Sequence, residues 1–310
     1  MKKVFLVGLI LSLTVVSAQQ TPLTSVATSL GSLGNPFFVR MSQGVSDQAK
    51  KLGGASVSVV ADSADYDIGK QTAQIDNYIA KKAQILVLNA VDPKGMVPAV
   101  RRAKAAGMIV IGADVGVDEG ADAIITSDNV NAGVLACRFI ATRLKGKGNV
   151  VILNGPPVTA VTDRVTGCKK ELARSKGIKI LSDNQNAAGS RDGGLDKMQG
   201  LLTAFPKIDA VFAINDPTGL GAELAIKQAR REKEMFITGV DGAPDAEVAL
   251  KDPTSIYLAS AAQDPYLMAT QAVKIGNDIR TGKRKSEGKV ILVPVKLITR
   301  ANIATYKGWK

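Results

Sequence analysis

Residues 85–114 read ILVLNAVDPKGMVPAVRRAKAAGMIVIGAD, and this stretch predicts one unit of a parallel α/β fold. Residues 85–88 and 109–111 form short, continuous apolar runs that are typical of strands buried on both faces. Residues 95–106 between them carry the 3.6-residue periodicity of an amphipathic helix. Because two strands joined through a helix lie parallel in one sheet, the stretch indicates a sheet covered by helices.

The same alternation of strands and helices continues on both sides of this unit. The predicted strands are residues 23–29, 56–61, 85–88, 109–111, 123–126, 150–153, 179–181, 210–213, 236–239 and 255–260. The predicted helices are residues 38–52, 71–81, 95–106, 130–144, 161–175, 195–204, 220–231 and 265–281. Ten strands are too many for one ordinary open sheet, so we predict an α/β protein with two doubly wound parallel-sheet domains.

The composition is that of a globular protein and excludes several kinds of chemistry. Hydrophobic residues make up 45% of the 310 residues, and there is no histidine. Ser-His-Asp and Cys-His catalysis and His-ligated zinc are therefore excluded. Two cysteines cannot build a four-cysteine metal site, and we predict no catalytic residue, metal or cofactor. Cys137 and Cys168 lie in two predicted helices, and a disulfide and two buried thiols both remain open.

The first residues have the pattern of a secretory signal peptide. Lys2 and Lys3 precede an apolar run over residues 4–16, and the small residue Ala18 completes a cleavage pattern. We therefore predict a signal peptide over residues 1–18, cleavage near Ala18 and a soluble, periplasmic protein. Removal of Lys2 and Lys3 lowers the net charge from +12 to +10. The remaining basic residues are dispersed and aromatics are 4%, so no nucleic-acid partner is expected.

Polar residues follow the carboxyl ends of several predicted strands. They are Asn35, Asn89, Asp114, Asn154, Asn215, Asp241 and Gln263. Each of them alone is a common helix cap or turn residue. Ligands of open α/β sheets bind at these strand ends, so the recurrence of polar residues there predicts a binding site.

An ordered set of short motifs also runs through the chain. It consists of GNPFF at 34–38, LNAVDP at 88–93, GAD at 112–114, TSDN at 126–129, DR at 163–164, FAIND at 212–216, GVDG at 239–242 and AQ at 262–263. From about residue 23 to 300, the chain resembles the periplasmic monosaccharide-binding proteins of ABC importers, which share the type 1 fold of ribose-binding protein. Each motif is weak alone, but the ordered set at these spacings is specific.

The resemblance implies two α/β domains joined by a three-crossing hinge, with a ligand cleft between them. The N-terminal domain is expected to hold residues 19–127 plus 264–290, and the C-terminal domain residues 128–263 plus 291–310. The crossings are expected near residues 126–129, 261–263 and 290–293. By hinge closure, a monomer would capture a monosaccharide (ribose-like or another pentose or hexose) and deliver it to an ABC permease.

The resemblance also implies which side chains bind the sugar. Planar amide, carboxylate and guanidinium groups can bind adjacent hydroxyls, and aromatic faces pack on the C–H groups of a sugar ring. The expected ligand-binding residues are Asn35, Phe37, Phe38, Asn89, Asp114, Arg164, Asn215, Asp241 and Gln263. Arg164 would donate to the ligand and offset the two buried carboxylates of Asp114 and Asp241.

Two positions depart from the pattern of ribose-binding protein. Val115 stands where that protein has an arginine, and Gly189 matches a phenylalanine. One charged donor and one stacking face are therefore missing. A site built for specific hydroxyls discriminates strongly, so these changes are expected to change the sugar. The resemblance carries over the class of ligand and leaves its identity open.

The sequence leaves three other functions open. A sugar receptor that signals to a chemotaxis or sensor partner has the same sequence features as a transport receptor. The effector domain of a transcriptional repressor shares the fold, but it would need a DNA-binding segment where this chain has the predicted signal peptide. Asp114 and Asp241 could act as paired carboxylates in glycoside hydrolysis, which needs no histidine.

Overall fold

The computed structural model describes residues 22–309 and contains two six-stranded sheets. The strands are β1 (Ser25–Leu30), β2 (Ser58–Ser63), β3 (Ile85–Leu88), β4 (Ile109–Ala113), β5 (Ala123–Ser127), β6 (Lys147–Asn154), β7 (Gly177–Asn186), β8 (Ala210–Ala213), β9 (Phe236–Asp241), β10 (Tyr257–Ala262), β11 (Lys289–Val293) and β12 (Lys296–Thr299). The helices are α1 (Pro36–Gly53), α2 (Ile68–Ala80), α3 (Val97–Ala105), α4 (Asn129–Arg143), α5 (Thr159–Leu172), α6 (Arg191–Ala204), α7 (Asp216–Gln228), α8 (Pro244–Lys251) and α9 (Pro265–Arg280). The predicted signal peptide at residues 1–18 lies outside the described residues.

The two sheets have equivalent strand orders. The first runs β11-β5-β4-β3-β1-β2 and the second β12-β10-β9-β8-β6-β7. All neighbours are parallel except β12, which runs antiparallel to β10 at the edge of the second sheet. The prediction of two doubly wound parallel sheets is confirmed. In each sheet the winding reverses beside the first strand, β1 or β6, and ligands bind outside the carboxyl ends of strands at such a point.

Helices cover both faces of each sheet and bury four apolar clusters. On the first sheet, α1 and α9 pack over one face around Met41 and Met268, and α2 and α3 pack over the other face around Ile75 and Val100. The second sheet is buried in the same way, with α4 and α5 on one face and α6, α7 and α8 on the other. Burial on both faces explains why the strands read as continuous apolar runs rather than alternating ones. No helix of the part described, residues 22–309, is long and apolar enough to cross a bilayer.

Three elements were not predicted from the sequence: α8, β11 and β12. Helix α8 has only 8 residues, so its periodicity is short. Strands β11 and β12 are edge strands that each pair on one side only. β11 pairs with β5 through Val293, so the first sheet extends past the boundary at residue 290 that the resemblance implies. Edge strands depend on a partner far away in sequence, which a local pattern does not contain.

The chain passes between the sheets at three places. It leaves β5 at Ser127 and enters α4, which packs on the second sheet. It leaves β10 at Ala262 and enters α9, which packs on the first sheet. The last passage lies between Val293, at the end of β11, and Lys296, at the start of β12.

Helices α4 and α5 approach each other closely. A Cβ added at Gly133 of α4 would lie 1.9 Å from the backbone oxygen of Arg164 on α5, so glycine is required there. A disulfide joins Cys137 and Cys168 on the same two helices, with a Cα–Cα distance of 5.0 Å. The pairing that the sequence left open is therefore present, and the contact sets the position of Arg164.

Candidate ligand-binding site

A cavity at the carboxyl ends of both sheets brings together all nine residues that the sequence analysis selected. These are Asn35, Phe37, Phe38, Asn89, Asp114, Arg164, Asn215, Asp241 and Gln263. The rest of the lining is mostly apolar and consists of Tyr66, Ala90, Val115, Pro156, Val158, Ala160, Val161, Gly189 and Ile214. Both sheets therefore contribute to one polar cavity with apolar walls.

Asp114 carries a carboxylate oxygen that is free to accept. It follows β4 and has a φ of 66°, a left-handed conformation that aspartate tolerates better than most residues. Its Oδ2 accepts from Asn89 Nδ2 at 3.0 Å. Its Oδ1 is buried and has no hydrogen-bond partner within residues 22–309. A buried oxygen without a donor is costly, so a bound hydroxyl at this atom would be favourable.

Asp241 and Gln263 form the opposite side of the cavity. Gln263 Nε2 donates to Asp241 Oδ1 at 2.7 Å, which fixes the amide orientation. Gln263 Oε1 is then buried with no donor among the residues that the structure describes. Asp241 has a φ of 129°, which is unfavourable for a residue with a side chain and holds the carboxylate at the end of β9.

Arg164 is the cation of the site and is rigidly held. It is only 5% exposed. Its Nε donates to Asn129 Oδ1 and its Nη1 to the backbone oxygen of Ile214, each at 2.8 Å. The same Nη1 lies 3.5 Å from Asp241 Oδ1. The guanidinium is thus oriented by protein contacts rather than by a ligand alone.

The carboxylates outnumber this single cation. Burial raises the pKa of Asp114 to about 6, against the opposing effects of Arg164 and Asn89. Burial also raises the pKa of Asp241, although Arg164 opposes it, and the nearby carboxylates of Asp216 and Asp114 raise it further. Asp216, fully buried at the start of α7, accepts from Tyr257 Oη at 2.5 Å and from Ser260 Oγ at 2.6 Å. Because donors stabilise buried carboxylates, the site favours a neutral ligand rich in hydroxyl groups over an anion.

The asparagines of the site also hold the backbone. Asn35 Oδ1 caps α1 by accepting from Phe37 N at 2.9 Å. Asn215 Oδ1 caps α7, and its Nδ2 donates to the backbone oxygen of Gly189 at 2.9 Å. Asn89 Oδ1 accepts from Gly31 N at 3.1 Å. The cap interpretation and the cavity interpretation therefore both apply to these positions, and the caps make the cavity lining rigid.

Phe37 and Phe38 form an apolar wall and also belong to the core. Their ring centroids lie 5.4 Å apart with an edge-to-face arrangement. Both rings are buried, line the cavity and pack within the cluster under α1 and α9. Such a wall can pack against the C–H groups of a sugar ring.

Two residues differ from what the sequence indicates: Asn154 and Tyr66. Asn154 follows a strand but does not line the cavity, because its Nδ2 donates to the backbone oxygen of Asp183. Tyr66 lines the cavity and was missed. It follows β2, so the rule that selected the other strand-end residues would have found it if extended to tyrosine.

Within the described residues, no group of three or more histidine, cysteine or acidic side chains could hold a metal ion. The polar groups of the cavity are instead amides, carboxylates and one guanidinium. These groups bind hydroxyls through paired donors and acceptors.

Comparison with known proteins gives a consistent result. A family model described as a periplasmic binding protein domain matches residues 26–284. The ribose import binding protein of Bacillus subtilis is 33% identical over 277 residues, which cover 89% of this chain and 87% of that protein. An ABC transporter solute-binding protein from Actinobacillus succinogenes with bound D-allose is 26% identical and has a TM-score of 0.82, covering 91% of this chain and 100% of the other. The fructose-binding periplasmic domain of the hybrid two-component system BT1754 is 27% identical, also with a TM-score of 0.82, and covers 91% of this chain and 92% of that chain.

Proposed function

The chain belongs to the periplasmic binding protein family, as a binding protein and not an enzyme, and we propose that it captures a monosaccharide and delivers it to an ABC permease. We also propose export to the periplasm after cleavage near Ala18, and action as a monomer. Its relatives are ribose, allose and xylitol-binding proteins, which makes a small polyhydroxylated ligand the best supported class.

One observation carries the proposal. Two buried acceptors without donors within residues 22–309, Asp114 Oδ1 and Gln263 Oε1, line the same cavity as the guanidinium of Arg164. A polyol supplies hydroxyl donors to both oxygens and an oxygen acceptor to Arg164. Hydrogen bonds to charged groups contribute about 1.5–3 kcal/mol each. The nine selected residues are proposed to act as ligand contacts on this basis.

We propose that each sheet with its helices forms one domain and that the three passages between the sheets act as the hinge. Asp114 follows the first sheet and Asp241 ends a strand of the second, so a ligand that binds both favours the closed arrangement. A ligand shifts a two-state equilibrium only by its different affinity for the two states, and contacts split between domains supply that difference.

We propose that Val115 and Gly189 change the sugar preference from that of ribose-binding protein. Val115 is buried in the cavity wall, where it offers no charged donor. Gly189 presents only backbone to the same cavity. We therefore propose a pentose, hexose or polyol with an apolar edge facing Val115.

Thermal unfolding with a panel of pentoses, hexoses, polyols and disaccharides tests the proposal. A ligand at about 1,000 times its dissociation constant stabilises by about 4.1 kcal/mol, which raises the midpoint by about 8–16 °C. The Asp241→Ala variant should lose this shift while keeping its far-UV circular dichroism. The control Asp76→Ala, which removes an exposed partner of Arg102 outside the cavity, should keep the shift. A flat panel with the unmodified protein would contradict sugar binding.

A sensory role is the second candidate, because the fructose-binding domain noted above is part of a two-component system. Deleting the gene and measuring uptake of the identified sugar separates the two roles. Loss of uptake supports delivery to a permease. Normal uptake with loss of the transcriptional or chemotactic response to the sugar supports a sensor.

A further inference from the structure

A second cavity adjoins the ligand cavity. Asn35, Tyr66 and Gly189 line both cavities, so the two spaces meet at these residues. We call the second space the outer cavity; among the residues that line it and not the inner cavity are Ser32, Pro36, Ser190, Arg191, Leu220 and Asp245. Arg191 and Asp245 form an exposed ion pair at 2.8 Å, so the outer cavity has a solvated rim.

Residue 189, at the boundary between the cavities, is a glycine and places no side chain there. Gly189 has a φ of 64°, and its backbone oxygen accepts from Asn215 Nδ2 at 2.9 Å. Asn215, a residue of the inner cavity, thus holds the loop at residue 189 in place. Residue 189 itself places no side chain between the two cavities. A large side chain here would separate them, as the phenylalanine at the matching position of ribose-binding protein would be expected to do.

Tyr66 forms a second part of this boundary and is unusually placed. It is 45% exposed, and both it and Asp65 have left-handed backbone conformations, with φ of 56° and 52°. Two consecutive non-glycine residues in this region are unfavourable, and such strain concentrates at ligand clamps. The ring also packs on Gly31, since a Cβ there would lie 2.9 Å from Tyr66 Cε1. The strained turn therefore holds an aromatic surface where the cavities meet.

Resting on the proposed receptor function, and extending its ligand from a free monosaccharide to a glycoside, we propose that the sugar ring occupies the inner cavity and the substituent lies in the outer cavity. The substituent is a second sugar or another small, neutral group. Tyr66 packs against it at the junction, since aromatic rings pack well on sugar C–H faces.

The outer cavity suits a neutral, partly polar group. Pro36 and Leu220 supply apolar surface, whereas Ser32 and Ser190 supply hydroxyls. The charge of Arg191 is matched by Asp245. The carboxylate of Asp216, which also lines this cavity, accepts hydrogen bonds from Tyr257, Ser260 and the backbone of Ala243. Because each charged group there already has a partner, the cavity does not favour an ionic substituent. Ser32 and Pro36 lie beside the first sheet, and Ser190 and Leu220 beside the second. A substituent between them would add contacts to both domains and favour closure further.

Calorimetric titration of the mature protein tests this assignment. The probes are D-ribose, D-allose, D-fructose, L-arabinose and D-glucose, the methyl and 4-nitrophenyl glycosides of each in both anomers, and disaccharides that contain them. We expect at least one glycoside or disaccharide to bind at least as tightly as its parent sugar. If every one binds more weakly than that while a parent sugar binds, the glycoside assignment fails and the receptor function stands. If no probe binds, both fail.

Leu220→Trp fills the outer cavity from α7 and identifies where the substituent lies. It should weaken glycoside binding at least 10-fold and change parent-sugar binding less than 2-fold. Leu224→Trp is the matched control: it lies one turn later on α7, is 45% exposed and lines neither cavity. Leu224→Trp should change neither glycoside binding nor parent-sugar binding. Ser32→Trp fills the same space from the first sheet's side and replaces Leu220→Trp if that variant melts early. If the folded variant, Leu220→Trp or Ser32→Trp, binds glycosides as tightly as the parent protein does, the assignment is overturned.

Discussion

The indole Nε1 of Trp309 donates a hydrogen bond to the backbone oxygen of Asp241 across 2.9 Å. The same ring meets Phe37 edge to face, with 5.8 Å between centroids. Trp309 therefore contacts two residues of the cavity, Phe37 on α1 and Asp241 at the end of β9. Trp309 does not line the cavity. Its contacts instead position two residues that do.

Replacing Trp309 by phenylalanine should weaken ligand binding by about 2- to 10-fold, because a single neutral hydrogen bond contributes about 0.5–1.5 kcal/mol. The change keeps an aromatic ring near Phe37 but removes the donor to Asp241. Tyr306→Phe is the control, since it removes a 2.8 Å hydrogen bond of the same segment, to Gly242 O, and leaves the contact with Phe37. Titration calorimetry should show a smaller effect for it. Equal dissociation constants for Trp309→Phe and the parent would contradict the positioning role.

Asp114→Asn should stabilise the ligand-free protein and impair binding. The buried carboxylate has its pKa raised from 3.8 to about 6, so at pH 8 its ionisation opposes folding by about 1–3 kcal/mol. Asparagine keeps the acceptor for Asn89 and tolerates the left-handed backbone. Chemical unfolding at pH 8 should show this gain in the free energy of unfolding. It should shrink as the pH falls towards 4, where the folded carboxyl is already protonated. A variant less stable than the parent at pH 8 would contradict this account.

Ligand affinity should weaken as the pH falls from 8 to 5. Bound hydroxyls donate to the ionised Asp114 and Asp241, so binding lowers carboxyl pKa values that burial has raised. Below about pH 6 the free protein must release a proton to bind, which costs up to tenfold in affinity per pH unit for each such group. Dissociation constants measured at four pH values check this. In Asp114→Asn the affinity should depend less on pH. If the affinity of the parent protein stays constant from pH 8 to 5, the prediction is wrong.

Gly133→Ala should weaken both folding and binding. Its Cβ would lie 1.9 Å from Arg164 O, so α4 and α5 must separate and carry the guanidinium with them. Overpacking of this kind costs about 1–3 kcal/mol. Gly200→Ala on α6 is the matched control, because an added Cβ there meets nothing within 4 Å and alanine favours a helix. It should be neutral or slightly stabilising. Unchanged affinity in Gly133→Ala would show that this contact does not position Arg164.

Removing the disulfide should lower stability by about 3–4 kcal/mol, the value of the chain-entropy model for a loop of this length. The bond closes a sequence separation of 31 residues. Unfolding of the Cys137→Ala/Cys168→Ala double variant in denaturant measures the loss. The parent under reducing conditions should approach the same midpoint. A double variant as stable as the oxidised parent would contradict the prediction.

The repeating pattern was sufficient for the fold class and for most elements. β3 and β8 have the predicted bounds, because a strand buried on both faces is apolar along its whole length. Helix α8 and strands β11 and β12 escaped the pattern, since a short helix has little periodicity and an edge strand depends on its neighbour. The ordered motifs selected nine residues that do line one cavity, because the motifs lie at strand ends that parallel winding brings together.

By itself, the sequence determined a protein of two doubly wound parallel sheets, without histidine chemistry, whose strand ends carry polar groups. Local periodicity and residue chemistry suffice for this, because they act over one element at a time. Only the tertiary structure decided that Asp114 Oδ1 and Gln263 Oε1 lack donors within residues 22–309, that Tyr66 joins the site and that Trp309 supports it. Those properties depend on which atoms meet across distant segments. Residues 66 and 241 line one cavity, and residue 309 bonds to residue 241, only through the winding of the whole chain. No short stretch of sequence contains that information.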